Sequence, residues 1–283
     1  SATALVSLRR LAPRAAVSGS FVGFGDPLFS AQQAAAASDR APVAAAVVHR
    51  GGRSRLLLRG QAPAAGVESA TLAQLPPLPD TGVELRAIAA SLQADPRKDV
   101  FLRREATERR VHEMDRAREL VRRRVVMFAT HGLVPGDIDG LTQPALALTS
   151  PAAVPEAGDG LLTMDEVLGL RLDADWVVLS ACNTAAGEGA GAEALSGLGR
   201  AFFYAGARAL LVSDWPVETT SARQLMTGMF AQLAADPSLG KAQALRRSML
   251  ALIDSPGATG PGGRIEFSYA HPLFWAPFVV VGD

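Results

Sequence analysis

The sequence predicts an α/β fold, a mostly parallel sheet with helices on both faces. Three observations carry the α/β reading. Val125 to Ala129, Trp176 to Leu179 and Ala207 to Val212, the last interrupted only by Arg208, are apolar, β-prone runs of strand length. Segments of helical period lie between and after them, which is the pattern of strands joined by helices. Strands that are apolar at every residue must be covered on both faces, as parallel strands between two helical layers are.

The elements follow in chain order. Phe21 to Phe24 reads as a short strand closed by the Gly25-Asp26-Pro27 turn signal. Residues 31–78, rich in Ala, Pro, Gly and Arg, read as a surface excursion, with Val43 to Arg50 a candidate strand within it. Thr81 and Glu84 have capping-box spacing, and Leu85, Ile88, Ala89 and Leu92 follow at helical intervals. After the apolar patch Val100 to Leu102, a second helix begins near Thr107, with Val111, Met114 and Ala117 on one face. The arginines between 103 and 124 interleave with five acidic residues, which predicts a solvated face rather than a nucleic-acid contact.

Residues 133–160 form a polar, Pro- and Gly-rich connection around the apolar run Ala145 to Leu148. Thr163 and Glu166 cap a short helix. Glu193 to Ala205 is helical, with Ala194, Leu195, Leu198, Ala201, Phe202 and Ala205 on one face and Gly206 as its stop. Helices over Thr219 to Ala235 and Leu239 to Ile253 precede a Gly/Pro loop and a last strand, Phe278 to Val281.

Composition narrows the function classes. With 283 residues and 29.5 kDa there is chain for one large domain, read as spanning 1–283. Lys+Arg and Asp+Glu are 28 each, which disfavours nucleic acid or an anionic membrane as a partner. One cysteine excludes an intrachain disulfide, and with four histidines it leaves little for a zinc site. No metal and no cofactor are expected, since neither a G-x-G-x-x-G nor a P-loop motif is present. No apolar run approaches the ~18 residues of a membrane span, and no secretory signal is read, so a cytoplasmic location is expected.

Ligands of open α/β sheets bind beyond the carboxyl ends of the strands. His131 and Cys182 each lie just past such an end. An imidazole beside a thiol raises the thiolate fraction and can return the proton to a leaving amine. Gly132 has no Cβ, so its N–H can approach an oxyanion, with the N–H of Cys182 as second donor. Taken singly, a cysteine after a strand is more often a small buried hydrophobe. The pair says more, because Cys182 follows His131 by 51 positions, close to the caspase interval of ~50. The His-before-Cys order disfavours a papain-like enzyme, and "SACNT" is no nucleophile elbow.

The segments "FATHG", "DWVVLSACNTA", "GLGRAFFYAGARALLVSDWPVE" and "HPLFWAPFVVVG", with "FVGFGDPLF" and "LPPLPDTGVEL", resemble the CHAT family. These are caspase-like domains often found behind TPR repeats. The resemblance implies a caspase-hemoglobinase fold and a Cys/His dyad endopeptidase, with His131 the histidine, Cys182 the nucleophile and Gly132 in the oxyanion hole. It also implies more chain upstream, so the sequence is read as an N-terminally truncated domain. The caspase context Q-A-C-[RQG]-G is absent around Cys182, which leaves the specificity pocket to other residues.

Asp214, Trp215 and Glu218 follow the third apolar strand and are the candidate substrate-binding residues. An acidic pocket there would favour Arg or Lys in the substrate. The plainer reading, that Asp214 starts a turn and Trp215 packs in the core, weighs slightly more. His271 with Trp275 anchors the entry to the last strand, and His112 is read as exposed. Two readings follow: a cysteine endopeptidase cutting a partner protein, with a TPR-type region or regulatory partner upstream, or a silent peptide-binding scaffold of the same fold.

Overall fold

A computed structural model describes residues 21–38, 72–180, 190–213, 215, 217–259 and 263–282. The strands are β1 (Phe21–Gly25), β2 (Val100–Leu102), β3 (Val125–Ala129), β4 (Gly132–Leu133), β5 (Ala145–Ala147), β6 (Leu161–Thr163), β7 (Trp176–Leu179), β8 (Ala209–Ser213), β9 (Ala258–Thr259), β10 (Ile265–Phe267) and β11 (Phe278–Gly282). The helices are α1 (Ala31–Ser38), α2 (Pro79–Ser91), α3 (Glu108–Arg116), α4 (Met164–Gly169), α5 (Ala190–Ala205), α6 (Thr219–Ala235) and α7 (Lys241–Ile253).

Among the described residues the main sheet has six strands in the order β11-β8-β7-β3-β1-β2. Only β11 runs antiparallel to its neighbour. Side chains alternate across this sheet because the strand period is two. Met127, Ala129, Trp176, Val178, Ala209 and Leu211 face one core with Leu85 and Ile88 of α2, Met226 and Phe230 of α6 and Leu245 of α7. Val126, Phe128, Val177, Leu179, Leu210 and Val212 face the other, against Val111 and Met114 of α3 and Leu198 and Phe202 of α5. Each large side chain fully buried this way contributes roughly 1.5–3 kcal/mol. The predicted α/β sheet, mostly parallel and covered on both faces, is the observed one.

Several local expectations are revised. α1 lies inside the expected 31–78 excursion: its alanines favour helix, and the Ser30 hydroxyl accepts from Gln33 N–H at 3.2 Å. Val43 to Arg50 lies outside the described residues. Thr81 and Glu84 do not cap α2, because the helix already starts at Pro79, a residue suited to the first turn. Ala117 is exposed, since α3 ends at Arg116. The 133–160 connection, together with the residues on either side of it, builds a small antiparallel sheet, β4-β5-β6. By contrast, Thr163 and Glu166 form the expected capping box. Gly206 ends α5 at φ +114, where an added Cβ would stand 2.1 Å from Leu172 O.

Candidate active site

β1, β3, β7 and β8 run the same way, so their carboxyl ends share one edge of the sheet. There the apolar strands turn polar within a residue or two, at Asp26, Thr130 and His131, Ser180 and Ser213, all buried. β3 and β7 are neighbours with Phe128 opposite Leu179. His131 and Cys182 each follow a member of that register pair by three positions. Ala181, Cys182 and Asp214 lie outside the described residues.

Several contacts among the described residues hold His131. Its carbonyl accepts from Ala147 N–H at 2.9 Å, and the Thr130 hydroxyl donates to Ala147 O. Both contacts tie the end of β3 to β5. The imidazole is 1% exposed, and its ring lies 5.5 Å from that of Phe29. Nε2 stands 2.9 Å from Pro76 O. A carbonyl only accepts, so this bond puts the proton on Nε2 and makes Nδ1 the basic nitrogen of the neutral ring.

The residues beneath are clamped in turn. The Gln33 amide accepts from Phe29 N–H at 2.8 Å and donates to Leu75 O at 3.0 Å, tying together the two segments that touch the imidazole. The Ser150 hydroxyl donates to Phe29 O at 2.8 Å. Sequence reasoning missed Pro76, Phe29 and Gln33. A backbone carbonyl has no residue-type signal, and Gln33 sits in an Ala-rich stretch.

On the β7 side, Ser180 N–H donates to Phe128 O at 2.9 Å, and its hydroxyl donates to Glu84 Oε1 at 3.0 Å. Glu84 is fully buried. One turn earlier, the Thr81 hydroxyl accepts from Asp26 N–H and donates to Leu78 O, both at 2.8 Å. The face of α2 expected to cap a helix is therefore aimed at the strand ends. Burial raises the Asp26 carboxyl above its usual range, against the pull of Arg103, whose Nε lies 2.9 Å away.

Gly132 is buried opposite Leu146. Trp215 is half-buried just after β8. Glu218 is buried at the N-terminus of α6 and accepts from Thr220 N–H at 2.9 Å and Ser221 N–H at 2.7 Å. His271 Nδ1 accepts from Leu273 N–H at 3.2 Å before β11, and Trp275 Nε1 donates to Ala270 O at 3.2 Å.

His112 is not simply exposed. Its Nε2 lies 3.1 Å from Glu166 Oε1 and 3.7 Å from Glu108 Oε1. Burial and the Glu166 charge push Glu108 up to about 8. Burial works the same way on Glu166, but hydrogen bonds from Thr163 and His112 outweigh it and hold Glu166 below its ordinary range. Sequence reading had no means to join residues 54 positions apart.

A six-stranded, mostly parallel sheet with helices on both faces and a buried histidine at its carboxyl edge is a caspase-like α/β arrangement. The profile of the family described as "CHAT domain" matches residues 1–283, and the chain belongs to that family. It is 32% identical over 127 residues to mouse (Mus musculus) tetratricopeptide repeat protein 28, and 29% identical over 127 residues to the human (Homo sapiens) protein of that name. Each match covers 44% of this chain and 4% of the relative, so the similarity spans a small part of those proteins. No helix among the described residues is long and apolar enough to cross a membrane.

Proposed function

We propose that this chain is a cysteine endopeptidase of caspase-like type, acting in the cytoplasm as one domain over 1–283. The observation that carries the reading is the preset imidazole: His131 stands at the carboxyl edge with Nε2–H committed to Pro76 O, next to the strand that leads to Cys182. In this reading Nδ1 takes the Cys182 thiol proton. The thiolate attacks the scissile carbonyl carbon, and the N–H groups of Gly132 and Cys182 hold the tetrahedral oxyanion. Collapse breaks the C–N bond as His131 returns the proton to the leaving amine. Water, deprotonated by His131, then hydrolyses the thioester and regenerates the thiol.

Asp214 and Trp215 form the pocket for the residue before the cut, with Glu218 fixing the turn into α6 behind them. The acidic charge selects Arg or Lys. The substrate is a partner protein, presented by a TPR-type region or a regulatory partner. The names of the two relatives, which specify repeats, fit that arrangement.

Cys182 is the only thiol, so iodoacetamide alkylation reports on it alone. The rate against pH is measured for the parent and for His131→Ala. Fast alkylation persisting below the ordinary thiol pKa of ~8.5, and lost in the variant, is the expected result. The same ordinary thiol profile in both proteins overturns the dyad and favours a silent peptide-binding scaffold.

A further inference from the structure

Away from the sheet edge, Glu108 and His112 occupy one face of α3 at i and i+4, and Glu166 reaches them from the first turn of α4. One ligand atom from each residue lies within 4.8 Å of the others, and His112 Nε2 stands 3.7 Å from Glu108 Oε1 and 3.1 Å from Glu166 Oε1. We infer that these three side chains form a binding site for a divalent first-row cation of the zinc type, independent of the peptidase reading.

The distances fit. Carboxylate and imidazole ligands at ~2.0–2.2 Å around a tetrahedral ion stand about 3.3–3.5 Å apart. The separations from His112 Nε2, 3.1 and 3.7 Å, bracket that value. A proton on Nε2 serves the nearer oxygen only, because 3.7 Å is beyond hydrogen-bond reach. A cation would engage all three atoms at once, with water in the fourth position.

The outer oxygens are already held, as they are around metal-ligating carboxylates. Glu166 Oε2 accepts from Thr163 N–H at 2.8 Å and from the Thr163 hydroxyl at 2.7 Å. Glu108 Oε2 accepts from Asp159 N–H at 2.9 Å. The backbone closes over Glu108 at Gly158, where φ is +97 and a Cβ would meet Oε2 at 2.2 Å. Both Oε1 atoms are thereby turned toward the imidazole. The side chains are 14–29% exposed, shielded yet open to an ion from solvent. The bound ion would join α3, just before β3, to α4, just after β6.

The test uses the full chain carrying Cys182→Ser, which removes the competing thiol. Co2+ titration is expected to give visible d–d bands that saturate at one equivalent and are displaced by Zn2+. His112→Ala loses the bands, and Glu166→Gln, which keeps its capping hydrogen bonds, weakens binding at least ~10-fold. Zn2+ raises the melting temperature of the parent and not of His112→Ala. Circular dichroism without metal checks that each variant is folded. Absence of bands, or bands unchanged in a folded His112→Ala, overturns the site and leaves an ion-pair cluster.

Discussion

The Ser180 hydroxyl donates to Glu84 Oε1 at 3.0 Å inside the protein, joining α2 to the end of β7. The bond puts a buried carboxyl group two positions before the cysteine. Glu84→Ala removes this partner and leaves a void, with an expected loss of about 2–4 kcal/mol in urea unfolding. Glu84→Gln keeps an oxygen for Ser180 and most of the volume, so it should lose clearly less. Equal losses in the two variants would show that the hydrogen bond contributes little.

Gln33 offers a second probe, one layer behind the His131 imidazole. Gln33→Ala releases both Phe29 N–H and Leu75 O, at an expected cost of about 1–3 kcal/mol. Hydrogen exchange at the Phe29 amide should quicken. In Gln33→Glu the acceptor survives and only the donor to Leu75 is lost, so Phe29 protection should hold while stability still falls.

Gly206 is fixed by its backbone. At φ +114, with Leu172 O in the place of a Cβ, Gly206→Ala combines strain with a backbone clash. The expected loss exceeds ~2 kcal/mol in denaturant unfolding. Gly140, at φ +75 in open space, should lose less when replaced by Ala.

Burial pushes the Tyr269 phenol from 10.0 up to about 12, with the Glu218 charge adding to it and Arg223 opposing. The folded chain keeps this proton while the unfolded chain releases it. Stability should therefore fall as pH rises from 10 toward 12. Tyr269→Phe should flatten that alkaline decline. Urea midpoints across the alkaline range check it, and parallel slopes for the two proteins would refute it.

How far the sequence could be read depended on how local the signal was. β3, β7 and β8 are apolar because both faces are covered, so their composition announced them. The small β4-β5-β6 sheet was hidden because its strands are two or three residues long and lie among Pro and Gly. The T-x-x-E spacing occurs twice with different fates. At Thr163 and Glu166 it caps a helix, whereas at Thr81 and Glu84 the helix begins earlier and both side chains serve tertiary contacts. Of the candidate site, His131 and its place beyond β3 were legible. Its supports were not, because they come from distant segments.

The bond from His131 to Pro76 is made to the main chain. A peptide oxygen does not ionise, so acid cannot switch this acceptor off as it would a carboxylate. No replacement of the side chain at position 76 deletes it either. The orientation of the imidazole is thus inherited from the path of the backbone through Leu75-Pro76-Pro77, and insertions or deletions near that path threaten it more than point substitutions do.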